Sequence, residues 1–215
     1  MVFLFFLASQ IFASHCYFVP PTDWEPAKPK NPSPYVKIAF LGNGTTEFRP
    51  SINLAVEEVD VGLKEYVKTV KGLHVQDPQA KVRDLGKFSM KGGDGQLLEI
   101  SNVSQFGNIK LLQAILVKNN LAYILTSASL KEEFAKFQSA LIQSLASLNI
   151  IENIWTPIED PDARNLVEAL FQSLETGGEA AWTQFQKKIV SIQTLGAYWQ
   201  FCALEEGKQK FYKEQ

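Results

Sequence analysis

The sequence predicts an α+β fold, a body of strands with two helices followed by a C-terminal helical extension, and three observations carry that prediction. Across residues 121–150, LAYILTSASLKEEFAKFQSALIQSLASLNI, the apolar period changes once. Ala122, Ile124 and Thr126 alternate with Tyr123, Leu125 and Ser127 as a pleated strand requires, whereas Phe134, Phe137, Leu141 and Leu145 recur every three or four residues as on a helix. Residues 81–127 hold four strand-like runs in succession, separated by glycine and asparagine turn signals. Beyond Ile150 the apolar spacing is helical.

The 215 residues, 46% hydrophobic and 12% aromatic, are enough to bury a core without disulfide staples. Twenty-one basic residues against 23 acidic ones give a net charge of −2, and the pI near 5.8 leaves no broad basic surface for nucleic acid. The local lysine runs, Lys28/Lys30 and Lys208/Lys210/Lys213, read as solvated segments rather than phosphate-binding patches.

Residues 1–15 read as a signal-like segment. MVFLFFLASQIFAS carries no charged side chain and is too short for the ~20 residues a helix needs to span a bilayer. Ala13 and Ser14 offer a cleavage neighbourhood, although Phe12 blurs the small-x-small pattern and no Lys or Arg precedes the apolar run. Export to the periplasm or envelope is the expectation, with a cytoplasmic chain as the alternative. Cys16 is a candidate lipidation site, and only then would the chain meet a membrane. His15, where a lipidated cysteine is normally preceded by Gly, Ala or Ser, argues against it. Cys16 could also be removed with the signal, stay a thiol, or pair with Cys202, which lies among Tyr198, Trp199, Phe201 and Leu204 as a buried small hydrophobe would.

Residues 16–35 form a proline-rich arm. Six prolines between residues 17 and 34 make it extended, and Tyr17, Phe18, Val19 and Trp24 predict that it lies against the body. The body, residues 36–150, opens with strands predicted over 36–41 and 51–59, joined by the turn Gly42-Asn43-Gly44. A helix over 61–73 follows, with Leu63, Tyr66, Val67, Val70 and Leu73 as its apolar stripe and His74 at its end as a dipole partner. The next strand, over 81–90, is interrupted at Gly86. Lys91 to Gly95 is predicted as a hairpin loop; its glycines do not make a phosphate cradle, since GxxxxGK[ST] is absent and a strand over 97–103 follows. Strands over 109–118 and 121–127 pair across Asn119-Asn120, residues that tolerate positive φ. Ser129 and Glu132 then predict a capping box at the start of the last helix of the body.

In the extension, residues 151–215, Asp160-Pro161 predicts an N-cap and first-turn pair for a helix burying Leu166, Leu170 and Leu174 and stopped by Gly177-Gly178. A second helix carries Trp182, Phe185, Ile189 and Ile192, and Gly196 interrupts the pattern before Tyr198, Trp199, Phe201 and Leu204. Aromatic residues this dense either close a core or receive a partner. Trp182, Phe185, Trp199 and Phe201 are the candidate partner-binding residues.

Catalytic chemistry finds little to build on. His15 and His74 are the only histidines, and the carboxylate pairs Glu57/Glu58, Glu132/Glu133 and Asp160/Asp162 read as strand-surface, helix-start and cap residues. The expectation is a protein that is not an enzyme, with no catalytic residues, no metal ligands and no cofactor.

Tyr17-Phe18-Val19-Pro20-Pro21 with Trp24, the strand entry Phe48-Arg49-Pro50-Ser51-Ile52-Asn53-Leu54, and Ala122-Tyr123-Ile124-Leu125-Thr126-Ser127-Ala128 leading to Phe134 and Phe137 resemble the PsbP-like, Mog-like superfamily over about residues 17–150. That superfamily includes photosystem extrinsic subunits, Ran-binding Mog proteins, DcrB-type envelope lipoproteins and Eag-type chaperones. The resemblance implies an antiparallel sheet flanked by helices, a PsbP-like sandwich used as a binding scaffold. It makes the expected function that of an exported, non-enzymatic accessory protein of the bacterial envelope that binds another protein. Two alternatives stay open: a secretion chaperone sequestering an apolar client helix, and a carrier of a small apolar ligand or lipid.

Overall fold

The computed structural model describes residues 15–27, 35–44, 46–175 and 177–213, which divide into one unit of residues 17–149 and another of residues 15–16 with 150–213. The signal-like segment up to residue 14, and residues 28–34 of the arm with Lys28 and Lys30, lie outside the described residues. A short strand, β1 (His15–Tyr17), opens the described chain. Then β2 (Glu25–Pro26), β3 (Val36–Leu41), β4 (Ser51–Glu58), α1 (Leu63–Val75), β5 (Lys81–Met90), β6 (Gly93–Ser104), β7 (Gly107–Lys118), β8 (Leu121–Leu130) and α2 (Phe134–Ala146) build the first unit. Its seven strands make one antiparallel sheet in the order β2-β3-β4-β8-β7-β6-β5. The expected antiparallel sheet flanked by helices is the architecture found.

Period-two alternation sends each strand's residues to two different helices. On one face Leu98, Ile100, Ile115, Ala122 and Ile124 pack with Tyr66, Val67 and Val70 of α1. On the other lie Ile52, Leu54, Leu112, Tyr123 and Leu125, all buried, on the side of Phe134, whose ring carries Lys110 Nζ at 4.5 Å. Phe134, Phe137, Leu141 and Leu145 of α2 are buried as their spacing predicts. The arm does lie on this body. Phe18 is wholly buried and meets Phe40 edge-on at 5.7 Å, and Trp24 meets Phe137 at 6.2 Å. Trp24 also explains Gly42 of the predicted turn, since a Cβ there would overlap the indole.

Turn chemistry fixes the meander of β5 to β8. Asn119 and Asn120 have φ of 53° and 60°, both positive as a tight hairpin with native twist requires. Gly86 sits where the β5–β6 register shifts, a bulge in the edge strand. That edge is further blunted by charge, with Arg83 3.2 Å from Glu99 and Lys87 2.6 Å from Asp94.

Four local expectations are corrected. The turn at Lys91 is two residues long, because β6 already begins at Gly93, paired with Met90; the Lys91 and Gly92 amides donate to the carbonyls of Ala146 and Leu148. The capping box does not form. Ser129 is buried inside β8, which stays paired with β7 as far as Leu130, and Glu133 stands at the N-cap of α2 without a side-chain cap bond. Leu73, about 60° round the helix from Val70, leaves the α1 stripe and is 61% exposed. Leu166 is exposed as well, since Ala163 and Val167, about 60° and 100° round the helix from it, take the inward positions.

In the second unit β9 (Asn149–Ile151) pairs with β1, and α3 (Pro161–Ser173), α4 (Gly178–Ser191) and α5 (Gly196–Lys213) surround a core of Trp155, Ile158, Val167, Leu174, Phe185, Ile189, Leu195 and Ala203. The predicted Asp160 cap is present, its carboxylate accepting from the amides of Asp162 (2.9 Å) and Ala163 (3.3 Å). Hydrogen bonds from the Thr194 side chain and these amides hold Asp160 below its ordinary value of 3.8. Stability from a lowered carboxylate is present above the ordinary value and lost as pH falls through the lowered one. Asp160→Ala is therefore expected to lower the melting temperature of this unit at neutral pH and to lose that penalty in acid, read by circular dichroism. An equal penalty at low pH would overturn the assignment.

Candidate functional site

Three central strands of the sheet each carry an uncharged hydrogen-bonding residue at the same register on one face. Asn53 interrupts SINLAV in β4, Thr126 interrupts YILTSA in β8 and Gln113 interrupts LLQAIL in β7. Asn53 pairs with Thr126, and Thr126 with Gln113, so the three form a row across the middle of the sheet. Alternation from Ile124 puts the row on the α1 face. Here α1 stops covering the sheet and leaves a cleft of about 310 Å³, to which it contributes Tyr66, Val70, Leu73 and His74. Tyr35 at the start of β3, with Ala55 and Glu57 from β4, completes the wall.

The row is incompletely satisfied. Gln113 Nε2 donates to Thr126 Oγ1 at 3.1 Å, while Gln113 Oε1 is buried with no hydrogen-bond partner among the described residues. Exchanging the amide's N and O would leave N–H donors unpaired instead, so neither orientation resolves the deficit. At the far end the Tyr66 hydroxyl donates to the Glu57 carboxylate. The cleft thus offers two carboxamides, the hydroxyls of Thr126, Tyr35 and Tyr66, an imidazole and one engaged carboxylate over an aliphatic floor of Ala55, Val70 and Ile124. This set suits hydrogen-bonded recognition of a ligand that carries both polar and apolar groups. Among the described residues no cluster of three or more His, Cys, Asp or Glu is arranged to hold a metal.

Sequence reasoning placed His74 at a helix terminus and Glu57 on a strand surface; the fold brings both to this cleft, while Glu58 is exposed. Asn53, Gln113 and Thr126 were not singled out. The signal available was one hydrogen-bonding residue among the apolar side chains on the same face of each of three strands, which becomes meaningful once register is known.

The residues proposed from sequence lie in the second unit. Phe185 is wholly buried in the helical core. Trp182 is half-buried and stacks on Phe185 at 5.8 Å and on Phe211 at 5.6 Å. Trp199 is half-buried against the same core, with the Tyr198 ring 4.8 Å away, and Phe201 is half-buried on α5. Cys16 is half-buried in β1 and Cys202 is a buried thiol.

No protein-family model matches the chain, and no curated protein sequence matches it. Solved structures do. LpqN, involved in cell envelope biogenesis of Mycobacterium tuberculosis, aligns with a TM-score of 0.50 at 13% identity, covering 67% of this chain and 87% of its own. Cyanobacterial PsbP (CyanoP) from Synechocystis sp. PCC 6803 gives 0.45 at 12% identity, covering 66% and 95%. The Saccharomyces cerevisiae Ran-binding protein Mog1p gives 0.41 at 16% identity, covering 61% and 83%. At such identities the likeness to LpqN is one of fold alone, an antiparallel sheet flanked by helices.

Proposed function

We propose that this chain is an exported accessory protein of the bacterial envelope, not an enzyme, that binds another protein through its PsbP-like scaffold, with the cleft beside α1 as the working surface. One observation supports the reading above the others: the polar row Asn53–Thr126–Gln113 leaves a buried acceptor unpaired beside a cleft in the middle of the sheet. An orphaned buried polar group costs about 1–3 kcal/mol, and rules of packing are broken most often where function requires it. Fold likeness alone does not fix function. The apolar opening of the chain supports export, and intact mass of the native protein tests it: loss of the first residues up to Ser14 or His15 is expected, whereas a full-length chain in the cytoplasm would favour the chaperone alternative.

The binding reading is tested in the native cell with a photo-crosslinking residue at Leu73, 61% exposed on the cleft rim, and at Val190, 60% exposed on α4. A protein adduct of defined mass is expected from position 73 and not from position 190. Gln113→Leu is expected to raise stability, by about 1 kcal/mol in urea denaturation, while reducing that adduct. No adduct at Leu73, or equal adducts at both positions, would refute the cleft as the working surface.

A further inference from the structure

The stripe Tyr198, Cys202 and Glu206 recurs every four residues on α5, one turn apart each time, so the three side chains share one face of the helix. The first described residue reaches this stripe. His15 Nδ1 is 3.9 Å from Glu206 Oε1, and Cys16 follows His15 directly in β1. Tyr198 donates a hydrogen bond to the Cys202 sulfur from the turn before, and Cys16 is near enough to act electrostatically on Cys202. Two thiols far apart in sequence therefore lie near each other within one unit of the fold. We propose that Cys16 and Cys202 are a modification site, closing to an intramolecular disulfide that ties β1 to α5 when the chain meets a disulfide oxidant.

The chemistry balances through two exchanges. Half-buried Cys16, as thiolate, attacks one sulfur of an oxidant of the glutathione-disulfide class, expelling one glutathione thiolate and forming a mixed disulfide on Cys16. Cys202 then loses its proton and attacks the Cys16 sulfur, expelling the second glutathione. Two electrons and two thiol protons pass to the oxidant, which leaves as two thiols. Burial pushes the Cys202 thiol up to about 12, so its thiolate is scarce at neutral pH and the second exchange is the slow one. The disulfide would enclose nearly the whole chain, the arrangement in which a cross-link restrains the unfolded state most. It would also occupy the sulfur that lipidation needs.

The test uses the full chain, incubated with oxidised glutathione over a range of alkaline pH and read by intact mass and peptide mapping without reductant. The expected product is a monomer lighter by two hydrogen atoms, with one cross-linked pair containing Cys16 and Cys202. A Cys16 glutathione adduct should precede it and persist longer at lower pH. Cys202→Ser is expected to stop at that adduct, Cys16→Ser to remain unmodified, and only the wild-type protein to melt at a higher temperature when oxidised. A stable adduct on the wild-type protein, a disulfide-linked dimer, or native protein acylated at Cys16 would each overturn the proposal.

Discussion

Phe185→Ala is expected to destabilise the helical unit by about 3–5 kcal/mol, the range for removing a fully buried aromatic ring. Phe185 is 0% exposed and contacts the core built from α3, α4 and α5. Its ring lies so close to α5 that a Cβ on Gly207 would overlap it, and Trp182 stacks on it at an interplanar angle of 19°. A cavity at this point removes contacts from two helices at once, the Trp182 ring on α4 and the backbone at Gly207 on α5. Hydrogen exchange is the discriminating measurement. Faster exchange across residues 161–213, with β4, β7 and β8 unchanged, is the expected pattern; uniform acceleration would show instead that the two units unfold as one. The same experiment separates packing from recognition among the aromatic candidates. Half-buried Trp182, Trp199 and Phe201 should each cost less than Phe185 when truncated, and one that abolishes a partner adduct without changing exchange would be a contact residue.

How much of this was legible beforehand follows from which forces act locally. The β7–β8 hairpin, the Asp160 cap and the α2 stripe are all decided within a few residues, by positive φ at Asn119 and Asn120, by a carboxylate beside free amides, and by 3.6-residue spacing. Ser129 was misread because its local capping preference is outweighed by a non-local ladder, the pairing of β8 with β7 out to Leu130 and Ile109. Leu73 and Leu166 failed for a related reason, since helical spacing defines a stripe but not how wide a face the neighbouring elements will cover. The cleft lay further out of reach. Gln113 and Thr126 meet across the β7–β8 hairpin, but Asn53 joins them only through the pairing of β4 with β8, which no residue-level signal specifies.

Gly95→Ala is expected to be the most damaging single change in the sheet, at about 3 kcal/mol or more. Gly92, Gly93 and Gly95 look from sequence like a flexible loop, yet Gly95 lies within β6, paired with Phe88 of β5. A Cβ there would overlap the Ile115 carbonyl and approach Met90 Cε. The methionine tip can swing away, but the carbonyl belongs to β7 and cannot move without opening the β6–β7 ladder. Gly72 provides the opposing control. It lies on an exposed turn of α1 with nothing within 4 Å of its Cβ position, so Gly72→Ala should stabilise by about 0.5–1 kcal/mol through helix propensity alone. Urea denaturation of the pair therefore separates two roles of glycine in one chain. A tolerated Gly95→Ala would mean that β6 and β7 can part at this point, and the register that aligns Gln113 with Thr126 would lose the fixed neighbour on which the cleft depends.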